Sequence, residues 1–436
     1  MKFIESSIKN EIDTGFHSFS MYTVEHRAIP HAIDGFKPSA RKIVYSMLTD
    51  YSNKKVKVAE LGGGLAKYGF HHGETSAMST AINLSADWNN NCPVLIGHGN
   101  FGSRIIQEAA APRYIFCTLN PEFKKYFIDE EVTEKSYDED SPEPRHYLPI
   151  IPWVLINGTS GIAVGFACNI LPRSIQTVIA ETKRCLKNPE KYLKDNKPVV
   201  PVFPHFHGSV TQLADLQWQT AGTIEYIGKY TYKISELPIG YDRESYIGVL
   251  NTLLDGDKIK DYEDNCSEAG FGFTIKVTVA QKEKIDLDQL KYFKLTKTHN
   301  ENLTTLDVNG KLKIFNSIAE LVHYFCLYRL SKFGEKIQYQ INELETDNKE
   351  IADKSKFIKL VIDRKIDFRV LSREQLLTVI AEKVTKSDYG KKFINIPLYA
   401  CTTDAIESLE AKKNDNEQQL LSLKKTTPIE RYLSVI

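Results

Sequence analysis

The most regular hydrophobic pattern lies in the last third of the chain. Ile337, Ile341, Leu344, Asn348, Ile351, Ser355, Ile358 and Ile362 follow one another at alternating spacings of four and three. Ile406, Leu409, Lys413, Asn416, Leu420 and Leu423 repeat the alternation near the C-terminus. Heptads of this kind describe helices that pack along one stripe, and polar residues in the stripe set register at some loss of stability. Two such helices flanking residues 363–404 predict a long antiparallel arm with a small knob at its far end. Earlier in the chain the periods are shorter. Ala40 to Tyr51 reads as a helix with Ile43, Val44 and Met47 on one side and Lys42 facing outward. Lys57 to Lys67 is expected to break at Gly62-Gly63-Gly64, where backbone can approach a partner closely. After His71-His72-Gly73 a further helix is expected, with Met78, Ala81 and Ile82 at packing positions. Successive short helices with one basic face suit a helix-turn-helix-like module. Trp153–Ile156 and Ile162–Phe166 read as strands around an Asn157-Gly158 turn. Alternation at Thr223–Ile227 and Phe271–Val279 predicts a second α/β region over 200–316.

Composition bounds this picture. At 436 residues two to four domains are expected, and 42% apolar with 11% aromatic residues suffices for real cores. The absence of an uninterrupted apolar run of ~18 residues argues against a membrane span. The start, MKFIESSIKNEID, does not read as a signal peptide. Seven scattered cysteines without a CxxC suggest neither a zinc site nor a disulfide framework, and fit a reduced, intracellular protein. The 56 basic and 56 acidic residues cancel, which taken globally argues against a nucleic-acid partner. Locally the charge is zoned. Arg27 to His72 holds eight basic and three acidic residues, net +5, whereas Asp129 to Pro144 holds eight acids and one lysine, net −7.

No GxxxxGK[ST] loop, HExxH or Cys/His cluster is present, so Walker-type hydrolysis and a resident metal are not indicated. Arg113-Tyr114 is more informative. A phenol with its usual pKa near 10 is a weak nucleophile at neutral pH unless cations stabilise its phenolate. Arginine can do that, and can also hold charge developing on a phosphate. The pair alone is commonplace; its company is not, since a basic zone, a His-His-Gly and GHGNFGS (Gly97 to Ser103) precede it.

Ordered motifs carry a family resemblance. EHRAIPHAIDGFKPSARKIVY (Glu25 to Tyr45), YGFHHGE (Tyr68 to Glu74), GNFGS (Gly99 to Ser103), APRYIF (Ala111 to Phe116) and LPIIPWVLINGTSGIAVGFACNI (Leu148 to Ile170) come first. ELPIG (Glu236 to Gly240), YFKLTKT (Tyr292 to Thr298) and the terminal TTPIERYL follow. In this order they resemble the breakage-reunion core of type IIA DNA topoisomerases over essentially the whole chain, with several motifs closer to the eukaryotic and bacteriophage enzymes than to bacterial gyrase. The resemblance implies a mixed α/β, multidomain fold. Its parts would be a winged-helix domain with the nucleophilic tyrosine at 1–152, a tower domain with a DNA-intercalating hairpin at 153–316, and coiled-coil arms at 317–436 with a C-gate knob at about 363–404. It implies Tyr114 as nucleophile, Arg113 and Arg27 as neighbours of the scissile phosphate, and His72 as donor or general acid/base. Lys37, Arg41 and Lys42 fall in the DNA-backbone segment, His71 beside His72, and Ile162 matches an intercalating wedge. The family's ATPase and Mg²⁺-binding acidic domains have no counterpart here. The resemblance therefore places ATP hydrolysis and Mg²⁺ on a separate large subunit, with double-stranded DNA as substrate and a homodimer through the arms. The expected location is the cytoplasm, that of the host cell for a phage-encoded chain. The alternatives are a non-cleaving architectural DNA-bending protein on the same scaffold and a coiled-coil scaffold without a DNA role.

Overall fold

The computed structural model describes residues 7–52, 54–127, 132–136, 141–367 and 370–436. Six of the eight acids in the run 129–144 therefore lie outside the described residues. The chain divides into two compact units, one ending at Arg329 and one spanning Leu330–Val435.

In the first unit, residues 8–28 are helical with two π turns, at Glu11–Phe16 and Val24–Ala28. Helix α1 (Pro38–Thr49) starts on a proline at its first turn, where the missing N–H has no helical partner to lose. Ile43, Val44 and Met47 are fully buried on it. Helix α2 (Val58–Gly64) contains the triple glycine as its last turn, so the expected break does not occur. The reason is packing: a Cβ on Gly62 would stand 2.6 Å from Met78 Cγ on helix α3 (Glu74–Ser85), and only glycine lets the two helices approach this closely. Strands β1 (Val56–Lys57), β2 (Leu95–His98) and β3 (Phe116–Leu119) form an antiparallel sheet in the order β1-β3-β2, with Val56 opposite Cys117 and Leu95 opposite Leu119.

The Asn157-Gly158 signal marks the exit of a helical turn, Val154–Asn157, and the expected strand there is absent. Asn157 bonds both backbone groups of Cys92 through its amide, and Gly158 takes a positive φ of 65°. The hairpin comes just after: β4 (Thr159–Ile162) pairs with β5 (Ala167–Ile170), and Ile162 faces Ala167 beside the turn 163–166.

Beyond it, β6 (Ser209–Ala214), β7 (Gln217–Ala221), β8 (Thr223–Gly228) and β9 (Thr231–Glu236) are followed by β10 (Asp261–Asp264), β11 (Phe273–Lys276) and β12 (Thr296–Asn300). They make two antiparallel sheets, β10-β11-β9-β8 and β12-β7-β6. Tyr232, Ile234, Tyr246, Leu250, Phe273 and Phe293 form the core beneath the larger one. Arg104 ties this region to the GNFGS loop. It donates to Glu236 at 2.8 Å and to the carbonyls of His205 and Leu237, between the rings of Phe206 and Phe271. Arg173 and Glu301 are a fully buried bidentate pair, and Trp218 also donates to Glu301.

In the second unit, helices α4 (Ile318–Ile362, which begins in the first unit) and α5 (Thr403–Lys425) run antiparallel. Ion pairs across them run in opposite directions along the two helices: Glu345 with Lys424 at 2.7 Å, Asp347 with Lys412 at 2.9 Å, and Lys359 with Glu410 at 3.0 Å. Ile337, Ile341, Ile351, Ile358 and Ile406 are buried, as is the polar seam residue Asn416, whose amide donates to Asp347. Ile362 leaves the stripe and is 40% exposed. Past it, the helix Arg373–Lys383 and the 3-10 segment Asp388–Asn395 close a small core of Phe357, Ile366, Leu376, Ile380 and Phe393. The terminal helix Pro428–Val435 returns with Tyr432 stacked on Phe333 at 4.4 Å.

Candidate active site

Tyr114 sits on the turn that enters β3. Its own N–H donates to Ala111, while the N–H groups of Ala59 and Val58 donate to the carbonyls of Pro112 and Ile115. Ile115 and Cys117 are buried beneath, so the turn is pinned at both ends while the Tyr114 side chain stands 67% exposed. The Arg113 guanidinium lies over the Tyr114 ring, 4.8 Å from its centroid, within cation–π range. Lys55 and Lys57 lie 4.9 and 5.8 Å from the ring of Phe116, two residues beyond the tyrosine. The result is an exposed phenol on a rigid turn with several cations near it. Such surroundings favour an approaching phosphate.

A second group gathers where residues 8–28 meet the loop before α3. His72 is half-buried, and its pKa is lowered by burial and then by the positive charges of Arg27 and His71. Its imidazole is thereby held neutral at neutral pH. The hydroxyl of Tyr22 stands 3.5 Å from His72 Nε2, and Phe70 meets the ring edge-on. Arg27 and His71 are exposed.

The third group is the hairpin. Ile162 is 88% exposed, unusual for an isoleucine that ends a strand. Lys37 Nζ donates to the Ser160 carbonyl at 2.6 Å, and burial lowers the pKa of that lysine. A Cβ on Gly161 would meet the Ala28 carbonyl at 2.0 Å, so only glycine fits there. This contact seats the hairpin against the residue that follows Arg27. Arg27, Lys37 and Ile162 are thus brought into one neighbourhood.

Two residues expected to reach DNA are placed otherwise. Arg41 is buried, its Nε and Nη2 donating to both carboxylate oxygens of Asp34, at 2.9 and 3.1 Å, and Nη2 also to the Phe36 carbonyl. Lys42 does not face outward. Its ammonium is 2.6 Å from Glu143 Oε1 and also donates to Ser141 and to the Tyr68 carbonyl. Helix α1 is covered on most sides, with Ala40 through Val44 all buried, so a charge at position 42 had to be paired inside. Conversely, Tyr22, Lys55 and Lys57 were not singled out from the sequence. The i,i+4 relation of Tyr22 to His26 and the alternation Lys55-Val56-Lys57 leading into β1 are the signals that could have found them.

Among the described residues, no group of three or more His, Cys, Asp or Glu side chains is arranged to hold a metal ion, and no helix is long and apolar enough to cross a membrane. The described residues thus do not by themselves form a Mg²⁺ site.

A mixed α/β chain with a pinned, arginine-backed tyrosine and, on a separate hairpin, an exposed isoleucine is the architecture of a DNA-cleaving topoisomerase core. The sequence profile of the family that comprises the A subunits of DNA gyrase and topoisomerase IV matches residues 27–436, and the chain belongs to that family. It is similar to the DNA topoisomerase medium subunit of Enterobacteria phage T4, 34% identical over 429 residues that cover 96% of both proteins. It is also similar to DNA topoisomerase 2-alpha of Cricetulus griseus, 29% identical, where the match spans 92% of this chain and 29% of that protein. Among solved structures, the Plasmodium falciparum topoisomerase II DNA-binding, cleavage and re-ligation domain superposes with a TM-score of 0.84 at 28% identity, covering 98% of this chain and 63% of that one.

Proposed function

We propose that this chain is the DNA-cleaving and religating subunit of an ATP-dependent type IIA topoisomerase. Tyr114 Oη attacks a backbone phosphorus, forming a Tyr–O–P bond while the bond to the 3′-oxygen breaks. The products are a 5′-phosphotyrosyl ester and a free 3′-hydroxyl. Resealing is the reverse attack, and since one ester is exchanged for another it needs no external energy source. Arg113 and Arg27 hold the charge that grows on the phosphate oxygens, and His72 supplies a donor at the same centre. Ile162 wedges between base pairs and bends the duplex, as apolar side chains do in other unstacking proteins. Lys37 fixes the base of that hairpin and joins the phosphate-binding surface; His71 lies at its edge. Arg41 and Lys42 belong to the scaffold.

In this reading residues 1–152 form the winged-helix domain, 153–316 the tower, and 317–436 the coiled-coil arms with the C-gate knob at about 363–404. Two copies pair through the arms and cut opposite strands, opening a gate for a second duplex. Mg²⁺ and ATP are brought by a separate large subunit, and the complex works in the cytoplasm. The observation that carries the proposal is the exposed Tyr114 beneath Arg113 on a turn pinned at both ends. The test mixes this chain, the large subunit, Mg²⁺, ATP and end-labelled duplex, then stops the reaction with detergent. A covalent adduct present in the wild type and lost in Tyr114→Phe is expected. An undiminished adduct refutes the tyrosine, and no adduct with either chain favours the architectural DNA-bending alternative.

A further inference from the structure

The cleavage chemistry assigned above leaves open what orients His72. Its backbone lies in the loop before α3, yet its ring is held from outside that loop. The Tyr22 hydroxyl stands 3.5 Å from Nε2, and the Tyr22 ring lies 6.2 Å from the His72 ring and 5.2 Å from that of His26. Phe70 packs edge-on at 5.5 Å. Nε2 therefore has a hydroxyl beside it, while Nδ1 makes no hydrogen bond among the described residues. The charged and titratable groups around the ring are Arg27 and His71, which oppose its protonation, together with Tyr22 and His26, the latter 3.9 Å from Glu25. Part-burial and the nearby Arg27 guanidinium make a neutral imidazole the favoured form. A neutral imidazole carries one proton, and the nitrogen that carries it is set by the partner of the other.

We propose that Tyr22 is a positioning residue for strand cleavage: its hydroxyl donates to His72 Nε2, fixes the Nδ1–H tautomer, and so aims Nδ1–H at a non-bridging oxygen of the scissile phosphate. His72 then acts as a neutral hydrogen-bond donor and gives up no proton, so no imidazolate has to form. The tautomer is the opposite of the one that free imidazole side chains prefer in water, which is why a dedicated partner is needed. The helical path explains how that partner arrives. The π turn at Val24–Ala28 begins two residues after Tyr22, and π turns recur where a side chain must be re-aimed at a functional site. The inference rests on the cleavage reading above.

The test has one arm without catalysis and one with it. In the full chain labelled with ¹⁵N-histidine, His72 is assigned by comparison with His72→Gln, and its tautomer is read from the ring nitrogen shifts above its titration midpoint. The wild type is expected to show Nδ1–H, and Tyr22→Phe, which keeps the ring and its packing, is expected to revert towards Nε2–H. In the complete complex with Mg²⁺ and duplex, Tyr22→Phe is expected to cleave roughly ten- to a hundredfold more slowly at unchanged DNA affinity, short of the ~10²–10³ lost when such a donor is removed outright. An Nε2–H tautomer in the wild type, or one tautomer in both chains, overturns the proposal. A tautomer that changes while the cleavage rate does not also overturns it. Failure of the underlying cleavage reading is seen separately, as an adduct that survives Tyr114→Phe.

Discussion

Replacing Arg41 by alanine separates a scaffold role from a DNA-binding role. Arg41 lies in the segment whose cations the family resemblance assigns to the DNA backbone, yet its guanidinium is turned inward on Asp34, whose side chain is completely buried. Asp34 accepts four hydrogen bonds: two from Arg41, at 2.9 and 3.1 Å, and one each from the N–H groups of Phe36 and Tyr147, at 3.0 and 2.9 Å. Breaking a buried pair from one side costs about 3–5 kcal/mol, because the remaining charge keeps its desolvation penalty. In Arg41→Ala the carboxylate retains its two backbone donors, which places the loss near 3 kcal/mol. In Asp34→Ala the guanidinium keeps one carbonyl and two buried N–H groups lose their acceptor, so the loss lies near 5 kcal/mol. The double variant leaves neither charge stranded and is expected to fall short of the sum by about 2–3 kcal/mol. All three tryptophans (Trp88, Trp153 and Trp218) lie in the first unit, so tryptophan fluorescence during urea unfolding reports on that unit alone. In parallel, DNA affinity is measured against salt concentration, where each lost phosphate contact would flatten the logarithmic slope by about 0.9. The expected outcome is a large drop in the urea midpoint with an unchanged slope. A normal midpoint with a slope shallower by about one would refute the inward assignment and restore Arg41 to the phosphate contacts.

Two further outcomes follow from burial and exposure elsewhere. His31 and His146 stack at 4.3 Å, and burial drives both far below the usual 6.5, helped at His31 by Arg41 and at His146 by His31. Their folded pKa values are depressed, so stability is intact above pH 6.5 and declines below it as the unfolded chain takes up protons. The slope is up to about 1.4 kcal/mol per pH unit for each histidine. His146→Phe is expected to flatten the urea midpoint between pH 6.5 and 5, and an unchanged pH slope would remove His146 as a source. Ile162→Ala removes a side chain that is 88% exposed, so folding should change by less than about 0.5 kcal/mol. The bend of the bound duplex, followed by energy transfer between end labels, is expected to fall, and an undiminished bend would count against the wedge.

The parts of this molecule that could be read from sequence are those where a local period repeats or a motif is contiguous. The heptad stripe of α4 and α5 repeats often enough that Ile337, Ile341, Ile351, Ile358 and Ile406 are all buried. Arg113-Tyr114 is two adjacent letters, and its exposure follows from the buried Ile115 beside it. What was misread depends on residues distant in sequence. Lys42 looked outward because a helical wheel assumes a wet face, whereas α1 has neighbours on most sides and Glu143 arrives from far along the chain. Gly62 looked like a breaker because its reason, Met78 on the next helix, is not local. The Asn157-Gly158 signal marked a real change of direction, but one that ends a helical turn, while the hairpin turns only after the four residues of β4. Tyr22 went unnoticed because its partner, His72, is separated from it by the whole of α1 and α2.

The same distinction changes what the basic zone means. Of the eight cations between Arg27 and His72, three are matched by acids: Arg41 by Asp34, Lys42 by Glu143 and Lys67 by Asp50 at 2.8 Å. Arg27, Lys37, Lys54, Lys55 and Lys57 are in no ion pair among the described residues. Glu143 belongs to the acidic run 129–144, so at least one member of that run neutralises a scaffold lysine and does not face a duplex. The unpaired cations are not scattered. Lys55 and Lys57 flank the strand that follows Tyr114, Arg27 stands by His72, and Lys37 holds the hairpin of Ile162. A chain with no net charge can therefore bind a polyanion, because its balance is local: acids take up the cations that build the fold and leave unpaired those near the tyrosine, the histidine and the hairpin isoleucine.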